Sequence, residues 1–188
     1  MLIRDLDPEN DPEIEQAAEA LVEGFRDHWP AAWPDLADAR EEAREALEAG
    51  RVCRAAWDEA GGLLGWIGGR PTYARVWELH PLVVRPHAQG RGIGRALVAD
   101  LEREIGARGG LTLMLGTDDE DDMTTLGGVD LYPDVLPHLA RIRNLRGHPY
   151  EFYQKCGFVI VGAVPDANGF GKPDILMAKR VTGVVEMP

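Results

Sequence analysis

Basic residues, cysteines and long apolar runs are all scarce in this 188-residue chain, and each scarcity removes a class of function. Twenty Lys and Arg stand against thirty-two Asp and Glu, a formal net charge of -12. A nucleic-acid partner needs basic surface to neutralise its phosphates, so none is expected. No apolar run approaches the roughly 18 residues that span a bilayer, so no membrane segment is expected. Residues Met1 to Asp11 are acidic and lack a secretory core, so no signal peptide is expected. Cys53 and Cys156 are too few for a disulfide framework and have no metal-ligand spacing. A cytoplasmic protein without a metal is the simplest expectation. Hydrophobic content of 45% and charged content of 28% suit one folded domain over residues 1–188.

What is present reads as alternating helices and strands. Leu2 to Leu6 suggests a short strand. Ile14, Ala17, Ala18, Leu21, Val22 and Phe25 then recur at helical spacing. Two Trp-Pro pairs, Trp29-Pro30 and Trp33-Pro34, interrupt the helix, because the residue before proline is pushed out of helical backbone. A second helix is expected over about Leu36 to Leu47. Val52 to Trp57 and Leu63 to Gly69 read as a hairpin around Asp58-Glu59-Ala60-Gly61-Gly62. Strand Arg75 to Val84 precedes a glycine-rich loop and a helix from Ile93, and Leu111 to Thr117 follows as a buried strand. Pro133 and Pro137 should shorten or break any helix between Leu131 and Arg143. A helix from about Pro149 should stop at Gly157, before final strands Phe158 to Val164 and Ile175 to Val181. The order implies an α/β (α+β) fold with one mixed, mostly antiparallel sheet flanked by helices.

The most informative stretch is Val83-Val84-Arg85-Pro86-His87-Ala88-Gln89-Gly90-Arg91-Gly92-Ile93-Gly94-Arg95. Strand, glycine-rich loop and helix follow one another there. Helix N-termini carry unsatisfied N–H groups and partial positive charge, which suit a phosphate. Arg85, His87, Arg91 and Arg95 reverse the sign of the surrounding charge, which points to an anionic ligand. Gly90, Gly92 and Gly94 fit neither G-x-G-x-x-G nor G-x-x-x-x-G-K-[ST]. Upstream, Pro81 cannot donate within a sheet, so it marks an edge or a bulge. Glu78 to Val84 is too apolar for an exposed edge, which leaves a bulge or a strand-end proline without consequence. Such a bulge would splay this strand from Leu111 to Thr117 and leave amides facing a cleft.

Gln89, Gly92 and Gly94 match the Q/R-x-x-G-x-G/A loop, and Phe152-Tyr153-Gln154-Lys155-Cys156-Gly157-Phe158 matches the F/L-Y-x-K-x-G-F ending, so the chain resembles the Gcn5-related N-acetyltransferases (GNAT). The resemblance covers about Glu78 to Val181 and implies a GNAT fold whose sheet is splayed at a bulge. It divides the domain into a substrate-side half, 1–75, and an acetyl-CoA-binding half, 76–181. It implies that Gln89, Gly90, Arg91, Gly92, Ile93, Gly94 and Arg95 hold the coenzyme's pyrophosphate. Amides at Leu82, Val83 and Val84 would pair with pantetheine, one of them also stabilising the oxyanion. Glu78 matches a glutamate that often serves as general base, His80 is chemically suited to the same task, and Tyr153 would protonate the departing thiolate. One departure is that Arg146 and Pro149 replace the family's N-x-x-A, with Gly147-His148 between them. Another is an unusually long connection, Asp118 to His148.

That connection begins with the acidic run Asp118-Asp119-Glu120-Asp121-Asp122. Five consecutive acids lack the spacing of a calcium loop. Thr117-Asp118 resembles the Thr/Ser-Asp step of aminoglycoside 6'-N-acetyltransferases, whose aspartate binds or deprotonates the reacting amine. On that likeness Asp118 joins the candidate catalytic residues. Asp119, Glu120 and Asp121, with Glu78 and Asp174, become candidates for binding a cationic amine; Asp166 and Asn168 could supply further walls, and the aromatic turn with Trp29 and Trp33 is either buried packing or part of a substrate wall. A solvated acidic loop is the plainer alternative. The substrate implied is a polycationic small molecule, and the protein a monomer or homodimer. Transfer to another amine (a polyamine, a metabolite or a protein N-terminus) and a non-catalytic acyl-CoA-binding sensor remain open.

Overall fold

In the computed structural model, which describes residues 1–181, the helical stripe lies on α1 (Asp11–Phe25). It follows β1 (Leu2–Asp5), and Asn10 caps it by accepting the Glu13 N–H. Ile14, Ala17, Ala18 and Leu21 are buried, with Val22 and Phe25 partly so. α2 (Leu36–Glu45) is capped by Asp35, which accepts from the Ala37 and Asp38 N–H groups. The chain divides into two units, Met1–Leu113 together with Val181, and Met114–Arg180.

In the first unit the sheet order is β1-β2-β3-β4, with β2 (Val52–Trp57), β3 (Leu63–Tyr73) and β4 (Val76–Val84), all pairs antiparallel. β3 runs past its expected end at Gly69, and Pro71 is tolerated because the register shifts there. Helix α1 packs on β3, β4 and α2, while α3 (Ile93–Ala107) packs on β2, β3 and β4. Trp66 is fully buried and its Nε1 donates to the Ala17 carbonyl at 3.0 Å, so its one polar atom is satisfied. Leu97, Leu101 and Ile105 of α3 are fully buried, each contributing about 1.5–3 kcal/mol of apolar burial.

The bulge expected at Pro81 is present. Ile67 opposes Leu82 and Gly69 opposes Leu79, so His80 and Pro81 together face Gly68. A Cβ on Gly68 would collide with the His80 carbonyl, so this close approach requires glycine.

The second unit contains most of β5 (Thr112–Asp118), then α4 (Val135–Leu139), α5 (Tyr150–Lys155), β6 (Val159–Val164) and β7 (Asp174–Arg180), in sheet order β5-β7-β6. α4 is as short as its prolines required. At the end of α5, Gly157 has φ +91° and the Phe158 N–H returns to the Tyr153 carbonyl, which closes the helix. Among the described residues no helix is long and apolar enough to cross a membrane.

Candidate active site

The loop between β4 and α3 is pinned at both ends and open in the middle. Ala88 and Ile93 are buried, whereas residues 89–92 between them are exposed. Gln89 Nε2 donates to the Val84 carbonyl at 3.1 Å, tying the loop back to the strand. Gly90 and Gly92 have φ of +73° and +81°, and nothing lies within 4 Å of where their Cβ atoms would be. Gly92 starts α3 without a side-chain cap, and no acid stands in the first turn. The N–H groups of that turn therefore have no side-chain cap and carry uncompensated partial positive charge. Arg91 and Arg95 are exposed beside them. These features fit the pyrophosphate of a coenzyme A thioester.

Arg85 does something else, contrary to its expected place among the anion-binding cations. Its guanidinium donates to Glu23 at 2.7 Å, Glu19 at 2.8 Å, the Gln16 carbonyl and the Leu63 carbonyl. It bolts α1 to the end of β4. Val83 also departs from expectation. The Arg85 N–H bonds the Leu64 carbonyl of β3, and strand alternation turns the Val83 N–H toward β3 too. The N–H groups of Leu82 and Val84 turn to the opposite edge.

Glu78 and His80 share the half-exposed face of β4, as alternation requires. Each has a partner that was not foreseen. Arg70 Nε lies 2.7 Å from Glu78, and Glu42 Oε1 lies 3.5 Å from His80 Nε2. Burial raises the Glu42 carboxyl, but His80, Arg70 and Arg51 outweigh it and hold the group below its ordinary value. Glu42 was legible in principle: Ala39, Ala43 and Ala46 are buried, and a glutamate three residues after the first lies within that stripe. Trp33 packs on the core and meets both Phe25, at 4.6 Å between centroids, and His80, at 6.3 Å. Trp29 stands 6.3 Å from Phe25, and its buried Nε1 has no hydrogen-bond partner among the described residues.

In the second unit the acidic run is differentiated residue by residue. Asp118 is half-buried and accepts a hydrogen bond from Asn168 Nδ2 at 2.5 Å. Asp119, expected to face a substrate, is fully buried. It accepts from the Met123 N–H at 2.6 Å, the Thr124 N–H at 2.9 Å and the Thr124 hydroxyl at 2.7 Å. Its carboxylate organises the turn and is not presented to solvent. Glu120 is half-buried, and burial, Asp118 and Asp121 raise its carboxyl against the opposing pull of Lys172. Asp121 is exposed, with its carbonyl held by Arg146. Asp122 pairs with Lys172 at 2.8 Å. Asp174 is half-buried, its carboxylate seated so closely over Gly116 that a Cβ there would strike it. Tyr153 is partly buried, edge-on to Phe152 and Phe158 at 5.1 and 5.7 Å. Burial, assisted by Cys156, pushes its phenol above the ordinary tyrosine range, so it holds its proton.

The family model described as Acetyltransferase (GNAT) family matches residues 18–125. The chain belongs to the GNAT acetyltransferase family. This acetyltransferase is similar over its whole length to a solved aminoglycoside 6'-N-acetyltransferase complexed with coenzyme A, at 41% identity and TM-score 0.88, covering 99% of that chain. It is also similar to the aminoglycoside 6'-N-acetyltransferase from Enterococcus faecium, at 41% identity and TM-score 0.86, covering 100% of this chain and 99% of that one. A third relative, aminoglycoside 6'-acetyltransferase type Ii, is 35% identical with TM-score 0.72, both chains being covered completely. Comparison with curated protein sequences gives no match.

Proposed function

We propose that the protein transfers the acetyl group of acetyl-CoA to the 6'-amine of an aminoglycoside. The observation that carries this reading is the 41% identity, over the full chain, to an aminoglycoside 6'-N-acetyltransferase. The site chemistry supports it. Loop 89–95 offers bare helix N–H groups and two exposed arginines to a pyrophosphate. Acetyl-CoA supplies an acyl group activated as a thioester.

The chain's own residues then divide the work. An amine arrives mostly protonated at neutral pH, and Asp118 or Glu78, directly or through water, takes that proton. Amides on the Leu82 and Val84 edge of β4 donate to the oxygen on which charge develops, since Val83 is committed to β3. Tyr153, kept protonated by burial, donates to the departing sulfur. Glu78, Asp174 and Asp121 hold further ammonium groups, with Trp29 and Trp33 as apolar walls. Each exposed pair contributes only about 0–1 kcal/mol, so several must act together.

Acetyl-CoA consumption with kanamycin or tobramycin, followed by mapping of the acetylated nitrogen, tests the reading. Turnover confined to a polyamine or a peptide N-terminus would reassign the substrate. Coenzyme binding without turnover on any amine would leave a sensor. Asp118→Asn should lower turnover while preserving coenzyme affinity, and Tyr153→Phe should slow the single-turnover rate.

A further inference from the structure

His148 lies in the segment where the chain departs from its family's pattern, and it is 1% exposed. Both ring nitrogens are engaged. The Tyr150 N–H donates to Nδ1 at 3.2 Å, and Nε2 stands 3.0 Å from the Asp118 carbonyl. A backbone N–H can only donate and a carbonyl can only accept. The tautomer follows without ambiguity: Nδ1 carries the lone pair and Nε2 carries the hydrogen. The backbone of the histidine is fixed as well. Its N–H donates to Asn144 Oδ1 at 2.7 Å, and Asn144 Nδ2 donates to its carbonyl at 2.9 Å.

One buried side chain thus joins the last residue of β5 to the first turn of α5. Asp118 is that last residue, and α5 carries Tyr153. We propose that His148 is a positioning residue of the acetyl-transfer reaction, holding Asp118 through Nε2 and the Tyr153 helix through Nδ1. The proposal rests on the reading of Asp118 and Tyr153 given above. The neutral ring is the form the site selects, because burial lowers the imidazole below its ordinary value despite the opposing influence of Asp119 and Asp118. An imidazolium would place an Nδ1 hydrogen against the Tyr150 N–H.

The two contacts can be separated by substitution. Asparagine places its oxygen near Nδ1 and keeps the Tyr150 bond; glutamine places its amide near Nε2 and keeps the Asp118 bond. His148→Asn should raise KM for the amine by about 10-fold or more and, through the displaced proton acceptor, also lower kcat, with KM for acetyl-CoA within about twofold of wild type. His148→Gln should keep the amine KM and lower kcat by about 10- to 100-fold through a misplaced Tyr153. Wild-type kcat and KM in both folded variants, or one uniform loss shared by both, would overturn the proposal. Should either variant fail to fold, heteronuclear NMR of the wild-type imidazole decides instead: an Nδ1–H tautomer, or a charged ring at neutral pH, overturns it. Wild-type protein inert toward every aminoglycoside would remove the function assigned above, while the NMR result would still judge the histidine's geometry.

Discussion

Replacing Asp119 by alanine tests whether the acidic run is a substrate surface or a built turn. The carboxylate is fully buried and accepts three hydrogen bonds, from two backbone N–H groups and one hydroxyl. Alanine would orphan all three donors in a place water does not reach. Each orphan costs about 1–3 kcal/mol, and losing a buried charge together with relaxation of the turn offsets part of that. The expected destabilisation is about 3–5 kcal/mol, which for a chain of this size lowers Tm by about 6–20 °C. Thermal and urea unfolding of Asp119→Ala, alongside the amine KM at a temperature where the variant is folded, measure both sides. Asp119→Asn should cost less, because one oxygen still accepts. An unchanged Tm with a raised amine KM would refute the reasoning and return Asp119 to the substrate.

Other expectations follow from the same geometry. Glu120 has a folded value raised above the ordinary 4.5, so its stability contribution is complete below 4.5 and is lost as pH climbs through the folded value. Glu120→Gln should therefore match wild type in acid and exceed it at neutral pH; equal urea midpoints at neutral pH would contradict this. Gly116→Ala should displace the Asp174 carboxylate and raise the amine KM about tenfold with coenzyme affinity intact, and an unaltered KM would remove Asp174 from the substrate site. Arg85→Met should cost about 2–3 kcal/mol, less than a fully buried pair because Glu19 and Glu23 are partly solvated, and should leave coenzyme A affinity unchanged by calorimetry. Burial and the nearby Asp5 push the Cys53 thiol up to about 12, so native protein at mildly alkaline pH should resist thiol reagents there until it is unfolded.

The local physics of backbone and apolar burial was the most readable part of the chain. Proline in Glu78 to Val84 implied a bulge, and three glycines with a following apolar stripe implied a loop opening a helix; the structure has both. Strand alternation put Glu78 and His80 on one face. What could not be read was the destination of charged side chains. Arg85 sits six residues from Arg91 in sequence, yet its charged partners Glu19 and Glu23 are on α1, more than sixty residues earlier. Asp119 is flanked by acids that reach solvent, and only the turn at Met123 and Thr124 reveals why it does not. Val83 looked equivalent to Leu82 and Val84 because sequence carries no sign for which way an amide points. His148 drew notice only as a departure from a motif, since the value of a buried imidazole lies in two backbone atoms that no side-chain pattern records.

Of the three long helices among the described residues, α1 and α2 are each closed at their start by an Asn or Asp side chain, and α3 is not. With glycine at the cap position, the missing side-chain cap leaves about a few tenths of a kcal/mol unrealised in the ligand-free chain. The carrier's phosphates would return that deficit on arrival, so occupancy and folding are thermodynamically linked: heat resistance should climb with coenzyme A concentration. The same linkage sets a limit on engineering. A substitution that closed the start of α3 from within, and so kept its first-turn N–H groups from the phosphates, would give a sturdier apoprotein that competes against its own acyl donor.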